Sequence, residues 1–274
     1  MLHGNPTWSF YYRNLVRALS GHYRCIVPDH IGCGLSDKPG DDRYDYRLKS
    51  RIEDIGTLVD SLNLSRPLTL VVHDWGGMIG FAWAVKNPDR VAQTVIMNTA
   101  AFPLPADKKM PAALSLVRNT GLGAFLVRRF NAFSGIAARV AFKKPVSAEI
   151  RRGYTLPYDT PDNRIATLRF VQDIPLSPSD PGYDILLNTA KQLNLLANKP
   201  CLIAWGEKDF VFDAPFLNTW EKYYPHAEIH RFPDCGHYIL EDGGETLLGK
   251  IRNFMGIRED SDNGHTSGKH LERG

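Results

Sequence analysis

Val71, Val72, His73, Asp74, Trp75, Gly76 and Gly77 together set a carboxylate where it can act as a nucleophile. Leu68 to Val72 are apolar residues and one threonine, and they read as a buried strand. Two glycines and a helix-like segment from Met78 to Lys86 follow. A strand, a sharp turn and a helix form a nucleophile elbow, which lifts the turn residue to the top of a sheet. The glycines let the helix pass close to the strand without a Cβ clash. Val72 stands two residues before Asp74, where serine enzymes with such an elbow carry glycine. A carboxylate that attacks an electrophile forms an ester or an anhydride, and it needs no base at neutral pH. Strained or activated electrophiles suit it: alkyl halides, epoxides and lactones. The plainer reading of Asp74 is a strand-end aspartate that caps the next helix.

Further residues extend the constellation. Asp209 follows the strand-like run that ends at Trp205, where a carboxylate can orient a histidine and stabilise its charged form. Taken alone it reads as a turn residue; Glu207 and Asp213 are weaker candidates for the same role. His237 lies in Pro233-Asp234-Cys235-Gly236-His237, between the last strand-like and last helix-like runs, and the other eight histidines lack that context. Near the start, His3-Gly4-Asn5-Pro6-Thr7 reads as an oxyanion loop. The backbone N–H groups of Asn5 and Trp75 would face the Asp74 carboxylate or a developing oxyanion. The Asn5 carboxamide and the Trp75 indole N–H are donors able to hold a halide or a lactone oxygen. Gly32-Cys33-Gly34 after Asp29 has a phosphate loop as its rival reading, which is discounted because no Gly-Lys-Ser/Thr follows.

These residues need elements to position them. Strands are expected at Arg24–Asp29, Leu68–Val72, Val91–Asn98, Pro200–Trp205 and Ala227–Phe232. Helices are expected at Tyr46–Leu62, Met78–Lys86, Pro215–Tyr224 and Glu245–Met255. This alternation predicts a largely parallel sheet covered on both faces, with ligands at the carboxyl ends of its strands. Residues 102–183 break the rhythm with apolar residues at helical spacing, among them Leu122, Phe125, Leu126, Phe130 and Phe133. They read as a helical cap inserted into a core of residues 1–101 and 184–257. Those apolar residues are either the packing of the cap or the lining of a channel for a greasy substrate. From Ala106 to Arg164 there are eleven Lys or Arg against four Asp or Glu, a net +7. This is either a solvated basic face or a docking surface for an acidic protein or anionic lipid. Residues 258–274 are polar and expected to be disordered.

The 274 residues suffice for one large domain with an insertion. Hydrophobic content of 43% and charged content of 23% are those of a soluble globular enzyme. A net charge of +3 argues against nucleic acid as a partner. No apolar run is long enough to span a bilayer, and the first residues lack the pattern of a signal peptide. Cys25, Cys33, Cys201 and Cys235 show neither metal-ligand spacing nor a disulfide framework, so the cytoplasm is the expected compartment. Cys25 and Cys201 read as packed thiols, and Cys235 as a neighbour of the site. No metal or organic cofactor is implied, because the nucleophile is already charged.

The chain resembles the haloalkane dehalogenase branch of the α/β-hydrolase superfamily. The likeness rests on His3-Gly4-Asn5-Pro6-Thr7, the run from Asp29 to Asp37, and Val72-His73-Asp74-Trp75-Gly76-Gly77. Within that branch, the runs from His3 to Val16 and from Cys25 to Pro39 resemble the β-lactone decarboxylases of bacterial long-chain olefin biosynthesis. The resemblance covers His3 to about Met255 and implies an α/β-hydrolase fold, whose triad order is nucleophile, acid, histidine. By position it implies Asp74 as nucleophile, Asp209 as acid, His237 as the triad histidine, and Asn5 and Trp75 as the leaving-oxygen or halide site. Asn98 occupies the alternative place for the acid and cannot serve. The implied reaction is conversion of a cis-3-alkyl-4-alkyloxetan-2-one to a cis-alkene and CO2. Haloalkane dehalogenation is the alternative, then epoxide hydrolysis, for which Tyr154 and Tyr158 are the candidate proton donors; a binding protein on this scaffold would be expected to have a broken triad. The implied partners are a hydrophobic small molecule and the β-lactone synthetase and reductase of the same pathway, in a large soluble assembly or at a membrane periphery. Relatives of this kind carry further strands before the His-Gly-Asn-Pro motif. The usual opening strands are therefore missing here, and a longer form is expected to be more stable.

Overall fold

A computed structural model describes residues 1–257, and the tail read as disordered, 258–274, lies outside the described residues. The chain opens with a helix α1 (Arg13–Leu19) and a longer one, α2 (Leu48–Ser61). Strand β1 (Leu68–Asp74) runs straight into helix α3 (Trp75–Ala84), and strand β2 (Val91–Thr99) follows. Six helices come next: α4 (Ala112–Asn119), α5 (Gly121–Phe130), α6 (Ala132–Val140), α7 (Ala148–Thr155), α8 (Ile165–Gln172) and α9 (Tyr183–Gln192). The rhythm then resumes with β3 (Cys201–Gly206), α10 (Ala214–Tyr223), β4 (Glu228–Phe232), α11 (Ile239–Asp242) and α12 (Gly244–Phe254).

The four strands form one parallel sheet in the order β1-β2-β3-β4. The register pairs Leu70 with Thr94, Ile96 with Ile203, and Ile203 with Ile229. Successive side chains along a strand point to opposite faces. Val72, Ile96 and Ile203 join one buried cluster with Ile79, Trp83 and Trp220. Val71, Val95 and Leu202 join the other, with Leu15, Leu247 and Ile251. β1, β2 and β3 therefore each contribute to both layers, which explains their largely apolar character. Truncation of any of these residues to alanine costs about 2–5 kcal/mol.

The sheet is the predicted one with a correction at its edge. Arg24–Asp29, expected as a strand, is outside every ladder among the described residues. A strand is defined by its hydrogen-bonded neighbour. Among the described residues, this segment's backbone carbonyls instead accept from the Met1 amino group, at Ile26 (2.8 Å), and from the Ser36 hydroxyl, at Asp29 (2.6 Å). Beside β1 there is instead a one-residue parallel bridge between Leu2 and Val72. The Leu2 N–H donates to the Val71 carbonyl at 2.8 Å, and the His73 N–H donates to the Leu2 carbonyl at 3.2 Å. This bridge delivers His3, Gly4 and Asn5 to the carboxyl end of β1.

Asn98 fastens the neighbouring strand ends. Its side chain donates to the Gly206 carbonyl at 3.0 Å and accepts from the Gly206 N–H at 2.8 Å, clamping the end of β3. It also donates to the Phe212 carbonyl at 3.4 Å, beyond the turn that carries Asp209. Asn98→Ala is expected to destabilise the fold by about 1–3 kcal/mol, because buried backbone groups lose their partners. Urea unfolding of the two proteins checks this, and an unchanged midpoint would contradict it.

Candidate active site

Asp74 ends β1 with φ 51° and ψ −127°, in the elbow anticipated from the sequence. A non-glycine residue with positive φ costs on the order of 1–3 kcal/mol unless its surroundings hold it. The carboxylate Oδ1 accepts from the Asn5 N–H at 2.8 Å and from the Trp75 N–H at 2.6 Å. The Thr99 hydroxyl donates to the Asp74 carbonyl. Two glycines permit this closeness. A Cβ on Gly4 would lie 2.1 Å from Asp74 Oδ1, and a Cβ on Gly76 would lie 2.0 Å from the Leu2 carbonyl oxygen. Gly76 at the elbow thus allows a close backbone approach, and Gly4 in the loop before Asn5 meets a second such requirement.

Oδ2, the other oxygen, faces His237, whose Nε2 lies 3.5 Å away. His237 Nδ1 sits 2.8 Å from Asp209 Oδ2. Asp209 is itself fixed by the Val211 N–H, which donates to Oδ1 at 2.7 Å. All three residues are buried. Burial alone would push the His237 imidazole down. The charge and hydrogen bond of Asp209, and then those of Asp74, outweigh it and push His237 up to about 10. Burial would likewise raise the Asp74 carboxyl, but His237, His73 and the Asn5 N–H hold it below the usual carboxylate range. At neutral pH the site thus holds a carboxylate beside an imidazolium backed by a second carboxylate.

Three buried histidines shape the site without sharing its charge. His73 donates from Nε2 to the His237 carbonyl at 2.8 Å and stacks on Tyr11 at 4.4 Å. Burial pushes its imidazole down to about 3, so it stays neutral. His3 bonds through Nδ1 to the Gly4 carbonyl at 2.7 Å and accepts from the His30 N–H at 3.1 Å through Nε2. His30 in turn bonds from its Nε2 to the His3 carbonyl at 3.1 Å. This pair props the loop that presents Asn5. In the sequence their signal is their place inside the runs His3–Thr7 and Asp29–Asp37, which does not report that they face each other.

Asn5 and Trp75 both line a cavity of about 420 Å³ that also exposes Asp74 and His237. The Asn5 carboxamide is steered by the Thr167 carbonyl, which accepts from Nδ2 at 3.0 Å. No described residue accepts from the Trp75 indole N–H. The Trp75 ring packs edge-on to Phe170 at 5.1 Å, with the Arg51 guanidinium 5.6 Å from its centroid. The rest of the wall is apolar, including Phe102, Met110, Leu126, Phe133, Val171 and Phe212. Of the apolar residues at helical spacing in 102–183, Leu126 and Phe133 face this cavity, whereas Leu122, Phe125 and Phe130 are more than half exposed.

Other expectations are redirected. Tyr154 donates to Glu241 at 2.5 Å and Tyr158 to the Thr7 carbonyl at 3.3 Å; neither lines the cavity, so they are not placed to protonate an epoxide oxygen. The turn at Gly32-Cys33-Gly34 is filled by Asp29, which accepts from the Ser9 N–H at 2.6 Å and the Leu35 N–H at 2.8 Å. An internal carboxylate thus occupies the place a phosphate would need. Cys201, Cys33 and Cys235 are buried free thiols, while Cys25 is only half-buried. Among the described residues no helix is long and apolar enough to cross a membrane.

The His237 shift has a direct consequence for stability. Its folded pKa is raised, so its contribution is complete below the ordinary value of 6.5 and is lost as pH rises through about 10. The melting-temperature gap between the wild type and His237→Gln is expected to be widest near pH 6 and to narrow toward pH 10. A gap that widens with pH would contradict this arrangement of charges.

A family model of the alpha/beta hydrolase fold matches residues 1–244. A cis-3-alkyl-4-alkyloxetan-2-one decarboxylase from Shewanella oneidensis is 56% identical over 256 residues, spanning 93% of this chain and 80% of that protein. A protein of the same name from Xanthomonas campestris pv. campestris is 49% identical, over 93% of this chain and 87% of the other. Among solved structures, a haloalkane dehalogenase from Agrobacterium tumefaciens superposes with a TM-score of 0.82 at 27% identity, covering 94% of this chain and 88% of that one. The elbow aspartate, the sheet and these likenesses agree: the chain belongs to the alpha/beta hydrolase family, in the haloalkane dehalogenase-like branch that includes the cis-3-alkyl-4-alkyloxetan-2-one decarboxylases.

Proposed function

We propose that the protein is a cis-3-alkyl-4-alkyloxetan-2-one decarboxylase, a carbon–carbon lyase that yields a cis-alkene and CO2 with Asp74 as nucleophile. The observation that carries this choice is the 56% and 49% identity to two proteins of that name, against 27–32% to haloalkane dehalogenases. The geometry is compatible with it. An ionised carboxylate sits at the floor of an apolar cavity, with donors from Asn5 and Trp75 beside it. Residues 102–183 serve in this reading as the cap over a core of 1–101 and 184–257.

Oδ1 is engaged by two backbone N–H groups, which leaves Oδ2 as the attacking atom. In an alkyl-ester route, Oδ2 bonds to the ring carbon that bears oxygen, and the ring C–O bond breaks to leave a carboxylate. That carboxylate departs as CO2. Its C–C electrons form the alkene, the bond to Asp74 breaks, and the Asp74 carboxylate is restored. Inversion followed by antiperiplanar loss converts a cis ring to a cis-alkene. In the other route Oδ2 attacks the lactone carbonyl, the ring acyl C–O bond breaks to leave an alkoxide on the substrate, and Asp74 is held as an anhydride. In either case Asn5 and Trp75 face the oxygen on which charge develops, and the two N–H groups on Oδ1 hold the aspartate while it is esterified or acylated. Asp209 orients His237, whose positive charge stabilises the anion beside it.

The hydrophobic substrate fits the lining of the cavity, and the supply of a strained β-lactone calls for a ring-forming synthetase and a reductase acting before it. A cytoplasmic enzyme of olefin biosynthesis working with such partners is the corresponding cellular reading.

Gas chromatography after incubation with a long-chain cis-β-lactone, beside halide release from 1-bromobutane, tests the proposal. Cis-alkene without halide is expected. Asp74→Ala should lower alkene formation by about 10⁴-fold or more, as loss of a covalent nucleophile does. Trp75→Phe, which removes one donor, should lower it about 10²- to 10³-fold. Halide release without alkene would overturn the proposal in favour of a dehalogenase.

A further inference from the structure

The cavity opens on an unusual face. Leu116, Ile136, Val140 and Phe210 line it and are each more than 40% exposed, so they form its rim. Beyond the rim, Leu122 is 60% exposed, Phe125 54% and Phe130 65%. Leu122, Phe125 and Arg129 follow one stripe of α5, at i, i+3 and i+7, while Gly123 and Val127 turn inward. On α6, Ile136, Arg139 and Val140 are exposed, while Ser134 and Ala138 are buried. Phe125 and Phe130 meet edge to face at 5.6 Å, which joins the apolar residues into a patch. Such a patch on a soluble chain marks a surface that docks on something.

Charge identifies the occupant. From Lys108 to Ala148 the chain holds eight Lys or Arg and no Asp or Glu. Lys108, Arg118 and Arg128 are ion-paired, with Asp213, Asp180 and Asp162. Lys109, Arg129, Arg139, Lys143 and Lys144 are exposed and have no ion-pair partner among the described residues. Apolar side chains that enter the acyl region, ringed by cations that reach phosphates, are the chemistry of an interfacial anchor on an anionic bilayer. A protein partner seated on the same residues would close the rim of the cavity, whereas a bilayer leaves it open to lipid.

We propose that the α4–α6 face docks on an anionic lipid bilayer, so that the cavity mouth opens to the membrane and greasy ligands enter and leave without crossing water. This rests on the apolar cavity and its rim, and not on which bond Asp74 attacks.

Sedimentation with phosphatidylglycerol vesicles, against phosphatidylcholine vesicles, tests the proposal on the whole protein. At least tenfold tighter binding to the anionic vesicles is expected, with loss of that preference at high salt. R129E/R139E should weaken binding to phosphatidylglycerol about tenfold or more, and L122S/F125S should weaken it on both vesicle types. These four side chains lie outside the cavity wall, so turnover of a short, water-soluble cis-β-lactone should be unchanged in every variant. That control separates failure of docking from failure of the proposed reaction. Equal binding to both vesicle types, no binding to either, or wild-type binding by both variants would overturn the proposal; the second result would favour an acidic protein as the partner.

Discussion

The Asp74 carboxylate, with Oδ1 held by the backbone N–H groups of Asn5 and Trp75, is the interaction on which the rest of the site depends. Those donors come from distant stretches of chain, and both must lie within hydrogen-bond reach of one atom. The Leu2–Val72 bridge brings the first alongside β1, and the left-handed turn at Asp74 aims the second back at its own carboxylate. Gly4 and Gly76 are the residues that make so close an approach sterically possible. The cost of the strained backbone is met by bonds that also orient the Asp74 carboxylate. One oxygen is fixed, so the other is presented in a single direction, toward the cavity and His237.

The charges follow from the same economy of space. Two carboxylates flank one imidazole, and their summed charge overrides burial to make His237 a cation. His73, its ring centroid 4.7 Å away and also buried, has a backbone carbonyl as its partner and remains neutral. The difference between the two histidines is therefore their partners, not their depth. Above them the cavity offers apolar carbon and few polar groups, so the electrostatic interactions at its floor are little weakened by solvent. A ligand whose reactive group is small and polar and whose body is hydrocarbon matches both halves of that environment.

The sheet and the grouping of Asp74, Asp209 and His237 were legible in the sequence, because each element carried a local signal. Unbroken apolar runs marked strands buried on both faces, and Gly76-Gly77 after Asp74 marked the elbow. Asp209 and His237 were readable from their places after strand-like runs. Arg24–Asp29 was misread as a ladder strand because its composition suits one, whereas pairing depends on a neighbour that composition does not report. Leu122, Phe125 and Phe130 share helical spacing with Leu126 and Phe133, yet the first three face outward and the other two line the cavity. Periodicity identifies an apolar face but not what lies against it. Thr167 steers Asn5 from 162 residues away, a contact with no trace in either local pattern.

The most direct measurement is mass spectrometry of the peptide containing Asp74, acid-quenched during turnover of a cis-β-lactone in water enriched in oxygen-18. In the alkyl-ester route no step consumes water, so the account predicts a substrate-derived adduct on Asp74 and an unlabelled carboxylate after many turnovers. An oxygen-18 atom in the Asp74 carboxylate would mean that water cleaves the ester, as in a hydrolase. Turnover with no adduct on Asp74 would remove it as the nucleophile. The first result would contradict the alkyl-ester route, and the second would contradict Asp74 as the nucleophile.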